Sequence, residues 1–272
     1  MKIKINTSKS ICTTIALFFS MFLVACGTCR KETAELTLAQ KQVNPFEISK
    51  NFYDAVKEGR NAEKYAQQLA DLSPEVLKKT LQTDTQKKSF WLNVYNTYVQ
   101  YLLKDDPDIY KDRSAFFEDN RFVIVGEETS LDVLEHGLLR NSRIKVLLGY
   151  AQNPFASGFE KDFRVDEIDW RIHFALNCGA KSCPPVTYYT VDNLDKQLEN
   201  SAKEYLKKEV EYKEKEKKVY VPALMSWFRA DFGGKNGVIE ILKNYELIPS
   251  SKDPDVEFLD YNWELDVDNY SN

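Results

Sequence analysis

The stretch Thr83-Asp-Thr-Gln-Lys-Lys-Ser-Phe90-Trp-Leu-Asn93-Val-Tyr-Asn96-Thr-Tyr-Val-Gln100-Tyr-Leu-Leu103 reads as the strongest helix of the chain. Phe90, Trp91, Val94, Tyr95, Tyr98 and Leu102 recur at helical intervals and give it a wide apolar face. Asp84 is its expected cap, and Asp105-Asp106-Pro107 ends it. Asn93, Asn96 and Gln100 add an amide stripe at spacings i, i+3, i+7. Asparagine is a poor helix former, and buried amides must be satisfied. The stripe therefore either ties down a loop or faces a polar cleft.

On the N-terminal side, Phe46 to Leu72 carries apolar residues at helical spacing, broken at Gly59, and predicts one or two helices. Ser73-Pro74 starts another, with Ser73 as N-cap. On the C-terminal side, Arg121 to Val125 reads as a strand followed by a turn at Gly126, and Ser130 caps a helix from Leu131 to Arg140. Ile144 to Leu148 either extends that helix or forms its own segment. The apolar run Ile172 to Leu176 predicts a buried strand, and Asp192 to Lys208 a charged surface helix. Val210 to Tyr212 and Val219 to Val221 predict a hairpin. A short helix over Pro222 to Ala230 breaks at Asp231-Phe-Gly-Gly, an amphipathic helix follows from Val238 to Tyr245, and the tail around Tyr261 and Trp263 is expected to add an edge strand. The economical architecture is α+β, one compact domain over residues 45–267 with helices packed on a small, mostly antiparallel sheet.

Residues 1–25 read as a lipoprotein signal peptide. Lys2, Lys4 and Lys9 form a basic start, Ile11 to Ala25 is mostly apolar, and Leu23-Val24-Ala25-Cys26-Gly27 resembles a bacterial lipobox. On that resemblance Cys26 carries the lipid and residues 26–44 are a tether; a plain secretory signal cut nearby is the alternative. The expected location is the cell envelope, periplasmic and anchored in the membrane through Cys26, with the outer membrane favoured over the inner. Loss of the three lysines moves the formal charge from −5 to −8, which argues against nucleic acid or an anionic membrane surface as a partner. Roughly 225 residues then remain, enough for one well-filled core.

Chemistry has few places to reside, because the chain has two histidines, His136 and His173. His173 opens the run His173-Phe-Ala-Leu-Asn177-Cys178-Gly-Ala-Lys-Ser182-Cys183-Pro-Pro. A thiol nucleophile needs a base, and imidazole is the usual one near neutral pH. If Ile172 to Cys178 is a strand, His173 and Cys178 face opposite sides. His136 is then an equal contender, steadied by Asp132 one turn earlier, with Arg140 on the same stripe. Glu135 points about 100° away on a helix of this kind. Asn177, Ser182 and the N–H groups of the Gly179 turn are candidate oxyanion donors. Cys178 and Cys183 could instead form a disulfide, which an exported chain permits. No pair of side chains has metal-ligand spacing, and no cofactor motif is present.

Several segments together resemble the bacterial branch of the family of unknown function numbered 547 (DUF547). They are Phe90-Trp-Leu-Asn-Val-Tyr-Asn96, Ser130-Leu-Asp-Val-Leu-Glu-His-Gly-Leu-Leu-Arg140, Ile172 to Pro185, Val221-Pro222, Trp227-Phe-Arg-Ala-Asp-Phe-Gly233 and Tyr261-Asn-Trp263. The resemblance implies a single domain over 45–265 and places both histidines in family motifs; it implies no established activity. Two functions with a ligand site stay open, beside a scaffold with no small-molecule site. One is thiol-dependent acyl or amide hydrolysis or transfer, with Cys178 as nucleophile, His173 or His136 as base, and Asn93, Asn96, Arg140, Asn177 and Ser182 lining the cleft. The other is a non-enzymatic module for ligand binding or envelope assembly, closed by a Cys178–Cys183 disulfide, with His136 and Arg140 holding an anion. The ligand in either case is an unidentified small molecule or peptide.

Overall fold

The computed structural model describes residues 44–271. The leader, Cys26 and the tether up to Val43 lie outside the described residues. Helix α1 (Pro45–Lys57) and α2 (Glu63–Ala70) realise the N-terminal pair, parted at Gly59. The short α3 (Pro74–Thr80) starts where the sequence placed it, with the Ser73 hydroxyl accepting from Val76 N–H at 3.2 Å.

Helix α4 (Asp84–Asp105) is the spine of the fold. It is buried on nearly every side from Phe90 to Gln100, so its amides as well as its aromatic rings face protein. Its cap is Thr83, not Asp84. The Thr83 hydroxyl and the Gln86 side chain close a reciprocal capping box. The Asp84 carboxylate is thereby left to accept from the N–H groups of Asp166 and Glu167, both at 2.8 Å.

After α5 (Arg113–Glu118), β1 (Phe122–Ile124) and β2 (Glu127–Thr129) form an antiparallel pair. Ser130 then accepts from Val133 N–H at 3.2 Å, as a cap should. The helix it opens is not α-helical: Val133–Leu139 is a π-helical turn, closed by Ser142 N–H to Gly137 O at 2.8 Å. The wider turn tucks Leu134, Leu138 and Leu139 into the core beside α4. Ile144 to Leu148 forms a separate short turn, and α6 (Gly158–Phe163) follows.

The strand expected over Ile172 to Leu176 is one turn of 3-10 helix, Trp170–Phe174. Asp169 decides this. Its carboxylate accepts from Arg171 N–H at 3.1 Å and holds the Arg171 guanidinium, so the chain is capped into a turn. Apolar runs this short do not distinguish strand from buried helix. The turn also serves two cores. Ile172 and Ala175 pack with α1 and α4, whereas Phe174 packs with the C-terminal elements.

Those elements are α7 (Leu194–Glu209), β3 (Glu211–Lys213), β4 (Lys218–Val221), α8 (Leu224–Trp227), α9 (Gly234–Asn244) and β5 (Asp255–Phe258). The hairpin β3–β4 pairs as expected, Tyr212 opposite Val219. The edge strand of the tail is β5, which lies before Tyr261 and pairs parallel to β4. The fold is thus α+β, with one small antiparallel sheet and one mixed sheet. The buried residues of both cores lie between Ile48 and Ile248, all within the compact unit Asn44–Asn272.

Candidate functional site

A buried polar chain fills the seam between the two cores. Asp231, in the tight turn after α8, accepts from Arg140 Nε at 2.6 Å and Nη2 at 3.1 Å, and from His173 Nε2 at 2.8 Å. All three side chains are about 1 % exposed. Burial alone would raise the Asp231 carboxyl, but the bonds from His173 and Arg140 prevail and bring it to about 2. Phe228 lies flat on the His173 ring, centroids 3.9 Å apart, and the Arg140 guanidinium sits 4.6 Å from the centroid of the same phenyl ring.

Arginine only donates, so its remaining contact fixes a tautomer. Arg140 Nη1 lies 2.8 Å from His136 Nδ1, which must be the acceptor. The His136 proton is then on Nε2, facing Asp132 Oδ1 at 3.7 Å. Burial first, then the Arg140 charge, pushes His136 well below its ordinary value. His173 is likewise lowered by burial, against the pull of Asp231. Its Nε2 faces the carboxylate, and its Nδ1 is buried without a partner. Asp132 gives its closer contact to Lys145 Nζ, at 2.9 Å.

The thiols lie elsewhere. The Cys178–Cys183 turn is set by Gly179 at φ +84°, where a Cβ would stand 2.5 Å from Leu103 Cδ1. Asn177 accepts from Gly179 N–H at 3.0 Å and donates to Pro184 O at 2.7 Å. Ser182 accepts from Asn262 N–H at 2.9 Å. Cys178 is half-buried and Cys183 buried, and both are free thiols. Tyr261 Oη lies 3.2 Å from each sulfur, and Cys178 N–H donates to Cys183 Sγ at 2.9 Å. Burial pushes Cys178 upward. For Cys183 burial is overcome by bonds from Cys178, Tyr261 and the loop N–H groups, which hold it below the usual thiol range. The turn's N–H groups thus serve a sulfur. Among the described residues, neither imidazole bonds either thiol: His136 and His173 are taken up by the seam.

The amide stripe of α4 is consumed by backbone. Asn93 exchanges two bonds of 2.7 Å with Tyr189, and Asn96 holds Ala175 O at 2.9 Å and Asn177 N–H at 2.8 Å. Gln100 reaches Asn177 Oδ1 and accepts from Asp268 N–H at 2.9 Å. These contacts position the thiol loop from beneath and leave no amide aimed at a cleft.

Glu135, on the same π-helical turn as His136, turns to Tyr95 of α4. Glu135 is raised to about 7, by burial and then by the Asp132 charge. Its Oε2 takes the Tyr95 hydroxyl at 3.2 Å. Tyr95, from α4, is itself raised by burial, then by Glu135 and by both thiols, so it bridges the fields of carboxyl and sulfurs. A signal existed: Glu135 sits in Val133-Leu-Glu-His-Gly-Leu-Leu with no cation one turn away. Tyr95, Asp231 and Tyr261 were also absent from the expected set. Among the described residues no group of three His, Cys, Asp or Glu side chains could hold a metal ion.

No curated protein and no solved structure matches the chain. Residues 79–206, which carry α4, the π-helical turn and the thiol loop, match the family model described as "Protein of unknown function, DUF547", and this match supports membership of that family.

Proposed function

We propose that the protein is a lipid-anchored envelope component that performs thiol-dependent acyl or amide chemistry, hydrolysis or transfer. The observation that carries this reading is the 3.2 Å hydrogen bond from Tyr95 to Glu135, a carboxyl raised to about 7, with the Tyr95 hydroxyl lying in the field of two free thiols. A general acid–base group works best when its pKa lies near the operating pH. Histidine leaves the mechanism, and Glu135 takes its place. Cys183, the better-stabilised sulfur, gives up the first proton of the thiol pair to solvent water. Transfer of the Cys178 proton to Cys183 leaves the more exposed sulfur as the nucleophile. Its attack on a carbonyl carbon forms a thioester as the bond to the leaving group breaks, and Glu135 supplies the proton that the leaving group takes. Water or an amine then attacks the thioester, giving a proton back to Glu135.

Alkylation of the native, reduced protein with iodoacetamide, followed by peptide mass mapping, tests this. Label at Cys178, slowed by Cys183→Ser, is the expected outcome. A Cys178 that stays unlabelled overturns the reading. The two sulfurs bracket one hydroxyl, which favours a second reading: a Cys178–Cys183 disulfide closing a ligand-binding or assembly loop. Intact mass without reductant distinguishes it by a loss of two hydrogens. Arg140 would not hold an anion in that case, since it is buried and its guanidinium faces Asp231 and His136.

A further inference from the structure

Six large hydrophobic side chains are exposed among the described residues, and five belong to one loop: Val146 at 83 %, Leu147 at 48 %, Leu148 at 38 %, Tyr150 at 60 % and Phe155 at 90 %. The loop is pinned, not loose. Arg143 pairs with Gln152 across its neck, Ile144 N–H donates to Ala151 O at 2.9 Å, and Asn153 N–H to Ser142 O at 2.7 Å. Its tip is fastened from below, where Ala230 N–H donates to Leu148 O at 3.0 Å. Gly149 at φ +82° rests on the Arg140–Asp231 pair so closely that a Cβ would stand 2.6 Å from Arg140 Nη2. The fold thus holds apolar side chains in water on a rigid base. Such clusters mark contact surfaces.

We infer that the loop Ile144–Phe155 is a bilayer-contact element that seats the domain on the lipid surface. This rests on the lipid-anchored part of the proposed function. A chain of the length from Cys26 to Asn44 can reach at most roughly 60 Å, against a diameter of roughly 45 Å for a domain of this size. An anchor on such a tether leaves orientation open, and any face of the domain can reach the membrane. No acidic residue occurs between Glu135 and Glu160, in a chain of net charge −5. Tyr150 and Phe155 are the kind of side chain that settles at the headgroup level, and half-exposed Lys145, bridging Glu118 and Asp132, lies at the edge. Four exposed side chains inside the neck and Phe155 just beyond it fall short of the roughly 800 Å² per partner of a stable protein interface. They suffice for interfacial insertion, which needs an apolar cluster only a few ångströms deep.

The unit Asn44–Asn272, which contains both cores, is sedimented with vesicles of phosphatidylethanolamine and phosphatidylglycerol, and with phosphatidylcholine alone. Binding to both, resistant to salt, is expected. The double variant Val146→Ser, Phe155→Ser should lower the partition coefficient about tenfold or more, given the apolar area removed. Phe155→Trp should shift its emission to the blue on vesicles. Absence of binding, or binding unchanged in the double variant, overturns the inference. So does a concentration-dependent dimer lost in that variant, which assigns the patch to a second copy. The anchor is tested separately by Cys26→Ser in the full chain, so failure of either reading is recognised on its own.

Discussion

Arg140 Nη1 meets His136 Nδ1 at 2.8 Å, and this single contact determines the protonation of the ring. A guanidinium has no lone pair to offer, so His136 must accept and carry its proton on Nε2. His173 points its Nε2 at Asp231 from the other end of the same chain of contacts. Long-range 1H–15N spectra at pH 7 should show both rings neutral and protonated on Nε2. A cationic His136 at that pH contradicts the arrangement.

Removing the hub of the seam exposes its cost. Asp231→Asn leaves Arg140 buried with its positive charge uncompensated. Breaking such a pair typically costs about 3–5 kcal/mol. Urea denaturation should report a loss of that order, and thiol labelling of whatever stays folded should change little, since the seam does not touch the sulfurs.

Stability should respond to pH in opposing directions. His136 and His173 are lowered in the folded state, so the unfolded chain binds more protons below about 6.5 and their contribution is lost as pH falls. Asp231, held at about 2, adds stability above its unfolded value and loses it as pH falls towards 2. Glu135 works the other way. Its folded value of about 7 exceeds the ordinary 4.5, so the native state holds the extra proton and loses stability as pH rises from 4.5 through 7. Glu135→Gln should gain about 1–3 kcal/mol over the parent at pH 8 and nothing at pH 4. Equal shifts at both pH values would show that the carboxyl is ordinary.

Asn96 joins α4 to the start of the thiol loop through Ala175 O and Asn177 N–H. Asn96→Ala strands two buried backbone groups, each costing about 1–3 kcal/mol. Hydrogen exchange should show Asn177 and its neighbours deprotected before the rest of the domain. Asn96→Asp keeps the acceptor but buries a carboxylate against Ala175 O, so it should cost at least as much as Asn96→Ala.

What the sequence disclosed follows from where each interaction partner lies. Ser73, Ser130 and the hairpin at Val219 act on residues a few positions away, and their patterns were legible. The wide apolar face of α4 was legible too, although its cap was misplaced by one residue. The turn at Trp170–Phe174 was not, because the Asp169 cap that rules out a strand resembles any loop aspartate. Asp231 was invisible for a stronger reason. Its partners His173 and Arg140 are 58 and 91 residues distant, and nothing local marks a turn aspartate as the counter-ion of both. The π-helical turn widened the spacing from which the reach of His136 was judged, so its strongest contact became Arg140 and not Asp132.

Gly149 links the exposed loop to the buried seam and gives the sharpest mutational test. Its backbone is left-handed at φ +82°, and a Cβ would stand 2.6 Å from Arg140 Nη2 and 2.7 Å from Asp231 Oδ1. Neither atom can retreat, because the two hold each other and both are buried. Gly149→Ala must therefore lift the loop or loosen the ion pair. Strained backbone alone costs about 1–3 kcal/mol, so a loss above that range reports the clash. Gly126→Ala is the control: its φ of +76° is similar, and a Cβ there meets nothing within 4 Å. Thermal denaturation of the two variants should separate them, with Gly149→Ala the less stable. Equal losses would show that the loop gives way freely and is not seated on the pair.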